Sequence, residues 1–431
     1  MKLSTLRATF ASAIPFVVLA CSQAGRTELS PGPAQADSAR MLADISYLAS
    51  DKLEGRLIGT PGNDSAAAFL ARRYASLKLK PAYPGYLQKF VARSAQAAHT
   101  GDTAGKATQN VVAILEGTDR ALKNQYIVIG AHFDHLGRST VSALDPEAKD
   151  AIRNGADDNA SGTSATLELA RLFSREKPKR SIIFVNFSGE EQGLLGSQYF
   201  VENPPVPLSN IVAMLNFDMV GRMKENGLLV FGTATATELS AVLDSANAGA
   251  VPLKVAGSGD GFGSSDHSSF YAKEIPVLHF FTDLHGDYHR ATDDADKINA
   301  SGQAQVVNFA YRIANMIDRR PGRLTYVRST APTRAVGSGQ GSQTYLGSIP
   351  DMAASETPGL KLTGIRPGSP ADVGGLKAGD IIVEFAGKAV TDLYTYSEAL
   401  YAQKPGDSVK IAYLRDGKRL ETTVTLGKRG G

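Results

Sequence analysis

One cysteine, Cys21, serves this whole chain of 431 residues, which excludes internal disulfides and leaves that thiol without another evident use. Charge of one sign is equally scarce. The 46 Lys and Arg set against 43 Asp and Glu leave a net charge of +3, which argues for no polyanionic partner. The basic residues are scattered, and no zinc-finger or RNA-binding signature is found, so no nucleic-acid partner is expected. What is present is ordinary globular material, 42% hydrophobic and 21% charged, enough for one large domain and a smaller one.

The N-terminus differs from the rest. Met1, Lys2 and Arg7 precede an apolar segment from Ala8 to Ala20 that is too short to span a bilayer but suits a secretory signal. It ends Val18-Leu19-Ala20-Cys21, which resembles a bacterial lipobox, in which the Cys is lipidated and becomes the new N-terminus. Residues 1–21 read as a signal peptide with lipobox and 22–37, polar and rich in Pro, Gly and Ala, as a tether. An exported protein of the cell envelope is expected, held to the membrane by its lipid and facing the periplasm or exterior. A plain signal peptide with an incidental Cys21 is the alternative.

Helical spacing of apolar residues marks 36–49 and 63–79, and later 161–173, 193–201, 237–248 and 301–317. Strand-like runs lie between them at 110–115, 126–131, 182–187, 212–217, 228–231 and 276–281. Strands alternating with helices of this length point to an α/β sandwich with a mostly parallel central sheet over 38–320. Composition turns to Gly, Ser, Thr and Gln after Pro321, so 321–343 reads as a linker, and 344–428 as a second domain of short strands with a helix near 395–401.

The strand ends carry the chemistry. Ser181–Phe187 is a buried-strand run, and the Ser188-Gly189-Glu190-Glu191 that follows cannot continue into a core, so its carboxylates must emerge at the rim of the sheet. Ligands of open α/β sheets bind at that rim. Other strand or loop ends deliver His132-Phe133-Asp134-His135, Asp157-Asp158-Asn159, Asn216-Phe217-Asp218 and Tyr288-His289. So many acids gathered together would repel unless cations lay among them.

In these residues the chain resembles the M28 family of metallopeptidases, from about 40 to 318. The resemblance implies a three-layer α/β/α sandwich of the zinc-exopeptidase type and two zinc ions per chain. His132 would bind one ion, with Asp134 behind its imidazole; Asp158 would bridge both; Glu191 and Asp218 would bind one each, and His289 would complete the second. Glu190 would be the general base taking a proton from the metal-bridging water, Tyr288 would help hold the oxyanion, and the Asp158-Asn159 peptide would be cis. His and carboxylate ligands suit zinc in their own right. Asp157 reads as a turn or cap residue outside the shell, and His267 as a pocket or packing residue; His99, His135, His279 and His285 receive no role.

The last segment, with Gly364-Ile365-Arg366-Pro367-Gly368 and Gly375-Leu376-Lys377-Ala378-Gly379-Asp380, resembles a PDZ domain, which implies a groove binding an extended peptide or a protein C-terminus by strand addition. The expected whole is an aminopeptidase acting on peptides; a carboxypeptidase of the same fold and an inactive peptide-binding protein on a peptidase scaffold are the alternatives. Replacing Cys21 by Ser is expected to release the protein from the membrane fraction and leave hydrolysis per molecule unchanged, as fractionation and assay would show.

Overall fold

In the computed structural model, Met1 and residues 35–93, 105–140, 142–249 and 252–328 are described, as are 344–350, 357–365, 368–391, 395–396, 399–400 and 402–428. Residues 2–34, with Cys21 and most of the tether, His99 and residues 329–343 of the linker lie outside them. No helix among the described residues is long and apolar enough to cross a membrane.

The large domain is built on one sheet. Its strands are β1 (Lys80–Pro81), β2 (Leu87–Ala92), β3 (Lys106–Leu115), β4 (Tyr126–His132), β5 (Ser181–Phe187), β6 (Ile211–Phe217), β7 (Gly227–Phe231), β8 (Lys254–Ala256) and β9 (Val277–Phe281). They lie in the order β1-β3-β5-β4-β6-β9-β7-β8, with β2 beside β3. The middle four, β5, β4, β6 and β9, are parallel, while β3 and β7 join them antiparallel from either side. Parallel neighbours need long crossovers, and the helices Gly162–Arg175 and Leu195–Glu202 supply them between β4 and β5 and between β5 and β6. Because both faces of this centre are covered, its strands read as continuous apolar runs: β5 and β6 are buried at every position.

One helical layer packs Ser38–Leu48, Gly162–Arg175, Leu239–Asn247 and Ala300–Arg319 against one another. On the other face Val128, Ile183, Val185, Phe187 and Met214 meet Phe200, Val201, Phe270 and Tyr271 of the helices Leu195–Glu202 and His267–Tyr271. Asp37 caps the first helix through the Arg40 amide, and Thr60 with Pro61 opens the second, Pro61–Ser76, earlier than its apolar spacing indicates.

The stretch 321–328 corrects the linker reading. Leu324 is buried, Thr325 donates its amide and hydroxyl to Glu238 at 2.9 and 3.0 Å, and Val327 donates to the Thr235 carbonyl at 2.9 Å. These residues close the large domain, so a Gly/Ser/Thr-rich connection begins no earlier than 329.

In the C-terminal part, five strands run in the order β11 (Ser348–Pro350), β12 (Leu360–Ile365), β13 (Ile381–Phe385), β15 (Ser408–Arg415), β16 (Lys418–Thr425); β14 (Lys388–Ala389) pairs with β13, and β10 (Thr344–Tyr345) with β17 (Gly427–Lys428). Leu346, Leu362, Ile382, Phe385, Ile411 and Leu426 are among its core residues. Arg415 grips Asp380 with two bonds of 2.7 Å.

A truncation after Arg328 should therefore keep the thermal midpoint of the large domain. One after Arg320 strips out Leu324, whose burial is worth about 1.5–3 kcal/mol, and should lower the midpoint by several degrees in a calorimetric scan.

Candidate metal centre

The four parallel strands end at one edge, and β4 stands where the chain reverses its direction of winding, with β5 on one side and β6 on the other. Such a reversal opens a crevice beyond the strand ends. His132 is the last residue of β4, Asp218 directly follows β6, and Glu190 and Glu191 follow β5 across Gly189, whose φ is 86°. His289 lies in the turn beyond β9, and Asp158 in the helical turn Ala156–Ser161. A Cβ on Gly162 would lie 2.2 Å from the Phe217 carbonyl; its absence lets the Gly162–Arg175 helix start against the end of β6 and brings Asp158 beside Asp218. The peptide between Asp158 and Asn159 is cis.

The structure brings the five expected ligands together as two overlapping sets. His132 Nε2 stands 3.4 Å from Asp158 Oδ1 and 3.5 Å from Asp218 Oδ1. His289 Nε2 stands 3.2 Å from Asp158 Oδ2 and 3.2 Å from Glu191 Oε2. The two oxygens of Asp158 thus face different sets. Tetrahedral zinc with bonds of about 2.0–2.1 Å sets its ligand atoms about 3.3–3.4 Å apart, which these spacings match.

Each imidazole is turned to present Nε2. His132 Nδ1 lies 3.2 Å from the Asp134 carbonyl and His289 Nδ1 2.8 Å from the Ser142 carbonyl, so Nδ1 donates to the main chain and Nε2 points into the centre. His132 Nε2 is buried and has no hydrogen-bond partner, as suits a donor awaiting a cation. The Asp134 carboxylate stands farther from the ring, 3.8 Å, and instead accepts the Glu190 amide at 3.2 Å. It orients the Glu190 turn.

Burial pushes the His132 ring down, but Glu190, Asp218 and Asp158 outweigh it and raise it well above the ordinary imidazole value. Burial also raises Glu190 well above the carboxylate range, with Glu191, Asp218 and Asp266 adding to it. Burial would raise Glu191 likewise, yet His289 and His135 overcome it and hold the group well below that range. Asp134 and Asp266 are pushed up to about 6 and about 7 by burial. A crevice with this many acids favours cations strongly. His132 and Glu191 form its floor, with 1% and 3% of their side chains exposed, whereas Glu190 (10%), His289 (12%) and Asp218 (14%) reach its mouth. Tyr288 stacks on His289 with ring centres 3.8 Å apart, its phenol kept protonated by burial and by Asp158 and Glu191.

Several neighbours surround the two sets, and of these the sequence leaves His135 and Arg56 without a role. His135 Nδ1 donates to Glu191 Oε1 at 2.6 Å, leaving Oε2 to face His289; its place in His-Phe-Asp-His was the available hint. Asp157 accepts the Gly221 amide at 2.7 Å and faces His285 Nε2 at 3.1 Å, a structural brace rather than a ligand. His267 stacks on His279 at 4.3 Å, a packing contact. Arg56, in a loop of no evident pattern, is fully buried and donates only to carbonyls; burial brings it down to about 10 against the pull of Asp134, Asp158, Asp293 and Glu191.

Residues 110–314 match the family model Peptidase family M28, and 345–426 match the model PDZ domain. A "Probable zinc metalloprotease" of Pyrenophora teres f. teres is 40% identical over 26% of this chain and 23% of its own length. "Leupeptin-inactivating enzyme 1" of Streptomyces exfoliatus is 29% identical over 68% of this chain and 60% of that protein. The chain therefore spans from 23% to 60% of the length of these curated relatives. In fold it is similar to a leucine aminopeptidase precursor from Bacteroides thetaiotaomicron, with a TM-score of 0.55 at 19% identity over 65% of this chain and 97% of the other. The zinc-exopeptidase type of sandwich and the strand-rich C-terminal domain agree with these matches: residues 110–314 form a stretch of the M28 peptidase type and residues 345–426 one of the PDZ type.

Proposed function

We propose that the chain is a di-zinc aminopeptidase that removes N-terminal residues from peptides. The observation that carries this reading is the bridging placement of Asp158, with Oδ1 in one donor set and Oδ2 in the other. His132 and Asp218 would hold one ion and Glu191 and His289 the second. When bound, the ions supply Lewis acidity, lowering the pKa of water and polarising the scissile carbonyl.

The remaining work falls to the chain itself. Glu190, held through its amide by Asp134 and placed toward the mouth, accepts the proton of the attacking water and hands it to the leaving amine. Tyr288, braced flat on His289, offers its O–H to the oxyanion that forms as the carbonyl carbon becomes tetrahedral. A carboxypeptidase also needs a cation to receive its substrate's carboxylate. Of the arginines on neighbouring turns, Arg56 bonds to carbonyls, Arg153 pairs with Asp145, and Arg222 with Asp287 and Asp293. The acidic crevice suits an α-ammonium group better. Export, lipidation at Cys21 and peptide binding at the PDZ groove belong to the same proposal, supported by the sequence patterns alone.

Three outcomes test it. Glu190→Gln should retain two zinc ions and lose about 10²–10⁴ in kcat, whereas Glu191→Ala should lose the one ion of the His289 set as well as rate; metal analysis and kinetics on both variants decide the assignment. An exchange of these results exchanges the roles. Chelation should abolish hydrolysis and lower the thermal midpoint, because uncompensated carboxylates then repel, and added zinc should restore both. Acetylating the N-terminus of a peptide should block cleavage while amidating its C-terminus should not. The reverse pattern makes the enzyme a carboxypeptidase.

A further inference from the structure

The segment that carries the bridging carboxylate is gripped from both sides by residues that touch no ligand atom. On one side, Arg56 Nη1 donates to the Asn154 carbonyl at 2.7 Å and Nη2 to the Gly155 carbonyl at 3.0 Å. The same guanidinium donates through Nε to the Phe133 carbonyl at 2.7 Å and through Nη1 to the Leu48 carbonyl at 2.6 Å. Phe133 is the residue after His132. Arg56 therefore ties the turn before Asp158 to the strand end that carries His132.

Asp293 holds the other side. Its Oδ2 accepts the amides of Asp157 at 2.9 Å and Asp158 at 3.0 Å, and its own carbonyl accepts the Ala156 amide at 2.9 Å. Its Oδ1 is paired with Arg222 at 3.2 Å. Asp293 donates its amide to the Arg290 carbonyl within the turn that carries His289. It therefore ties the Asp158 backbone to the His289 turn. Gly155, with φ of 57°, lies where the two grips meet, and a Cβ there would fall 2.0 Å from the Asp158 carbonyl.

We infer that Arg56 and Asp293 are positioning residues with separable tasks: Arg56 sets the spacing of Asp158 from His132, and Asp293 sets the spacing of Asp158 from His289. Each fixes one of the two donor sets through the segment they share. The inference rests on the two-zinc reading. A buried arginine whose donors all go to carbonyls is suited to the first task, because its planar fork reaches divergent acceptors that a lysine ammonium cannot. The carboxylate of Asp293 is suited to the second, because one oxygen nests two amides while the other answers a guanidinium; an asparagine would turn a donor toward Arg222 or toward the amides.

Zinc affinity in single-site backgrounds tests the division. E191A leaves the His132 and Asp218 set whole, and D218A leaves the Glu191 and His289 set whole. Zinc dissociation constants are read by competition with a chelating dye, with circular dichroism and thermal midpoints recorded for every protein. R56K should weaken zinc about 10- to 100-fold in the E191A background and leave the D218A background unchanged. D293N should do the opposite. Equal losses in both backgrounds, or no loss from either substitution, overturn the inference. Should R56K fail to fold, D293N decides alone, since its effect must fall on the His289 set. Failure of either background to bind zinc before any further substitution refutes the two-zinc reading itself, and this inference with it.

Discussion

Mutual repulsion among buried carboxylates governs this molecule more than any single attraction. Asp134, Asp158, Glu190, Glu191, Asp218 and Asp266 crowd one edge of the sheet, where the dielectric response of water is largely withdrawn. Imidazole rings offset part of it, and backbone amides reach Asp134 and Asp293. The rest calls for multivalent cations. Rigidity follows from the same need, because ligands that could drift would separate rather than stay close. Hence the parallel strands buried on both faces, the guanidinium caged by carbonyls, and the left-handed backbone at Met219 and His289, with φ of 51° and 53°.

Much of this could be read in advance, and the reason is local. A strand buried on both faces is a continuous apolar run, so an acid or histidine at its end is conspicuous, and His132, Glu190, Glu191 and Asp218 all announce themselves that way. The elements that escaped notice have weaker local patterns. β2 alternates buried and exposed residues under polar letters such as Gln88 and Lys89, and β8 is three residues long. The linker began too early on paper because Leu324 and Tyr326 are outnumbered by polar neighbours, although the bonds of Thr325 to Glu238 hold the segment in place.

The residues that brace the centre were invisible for a different reason. Arg56 and Asp293 act on main-chain carbonyls and amides far away in sequence, with separations of 99 and 136 residues for Gly155 and Asp157. Backbone groups have no letter. Any residue may supply them, so no spacing or motif marks the partner. His135 is intermediate: it stands inside a conspicuous motif, yet only the fold shows that it turns toward Glu191 rather than toward an ion.

On the two-zinc proposal, the divided allegiance of Asp158 would couple the loading of the two sites. A carboxylate with one oxygen in each set loses its rotational freedom once, to whichever cation arrives first, and the second cation meets an oxygen already aimed. That same second cation would also meet the positive charge of the first. Pre-alignment draws the two binding steps together and Coulomb repulsion spreads them apart. The separation of two zinc affinities would then report the difference between an entropy and a field, both acting through one side chain.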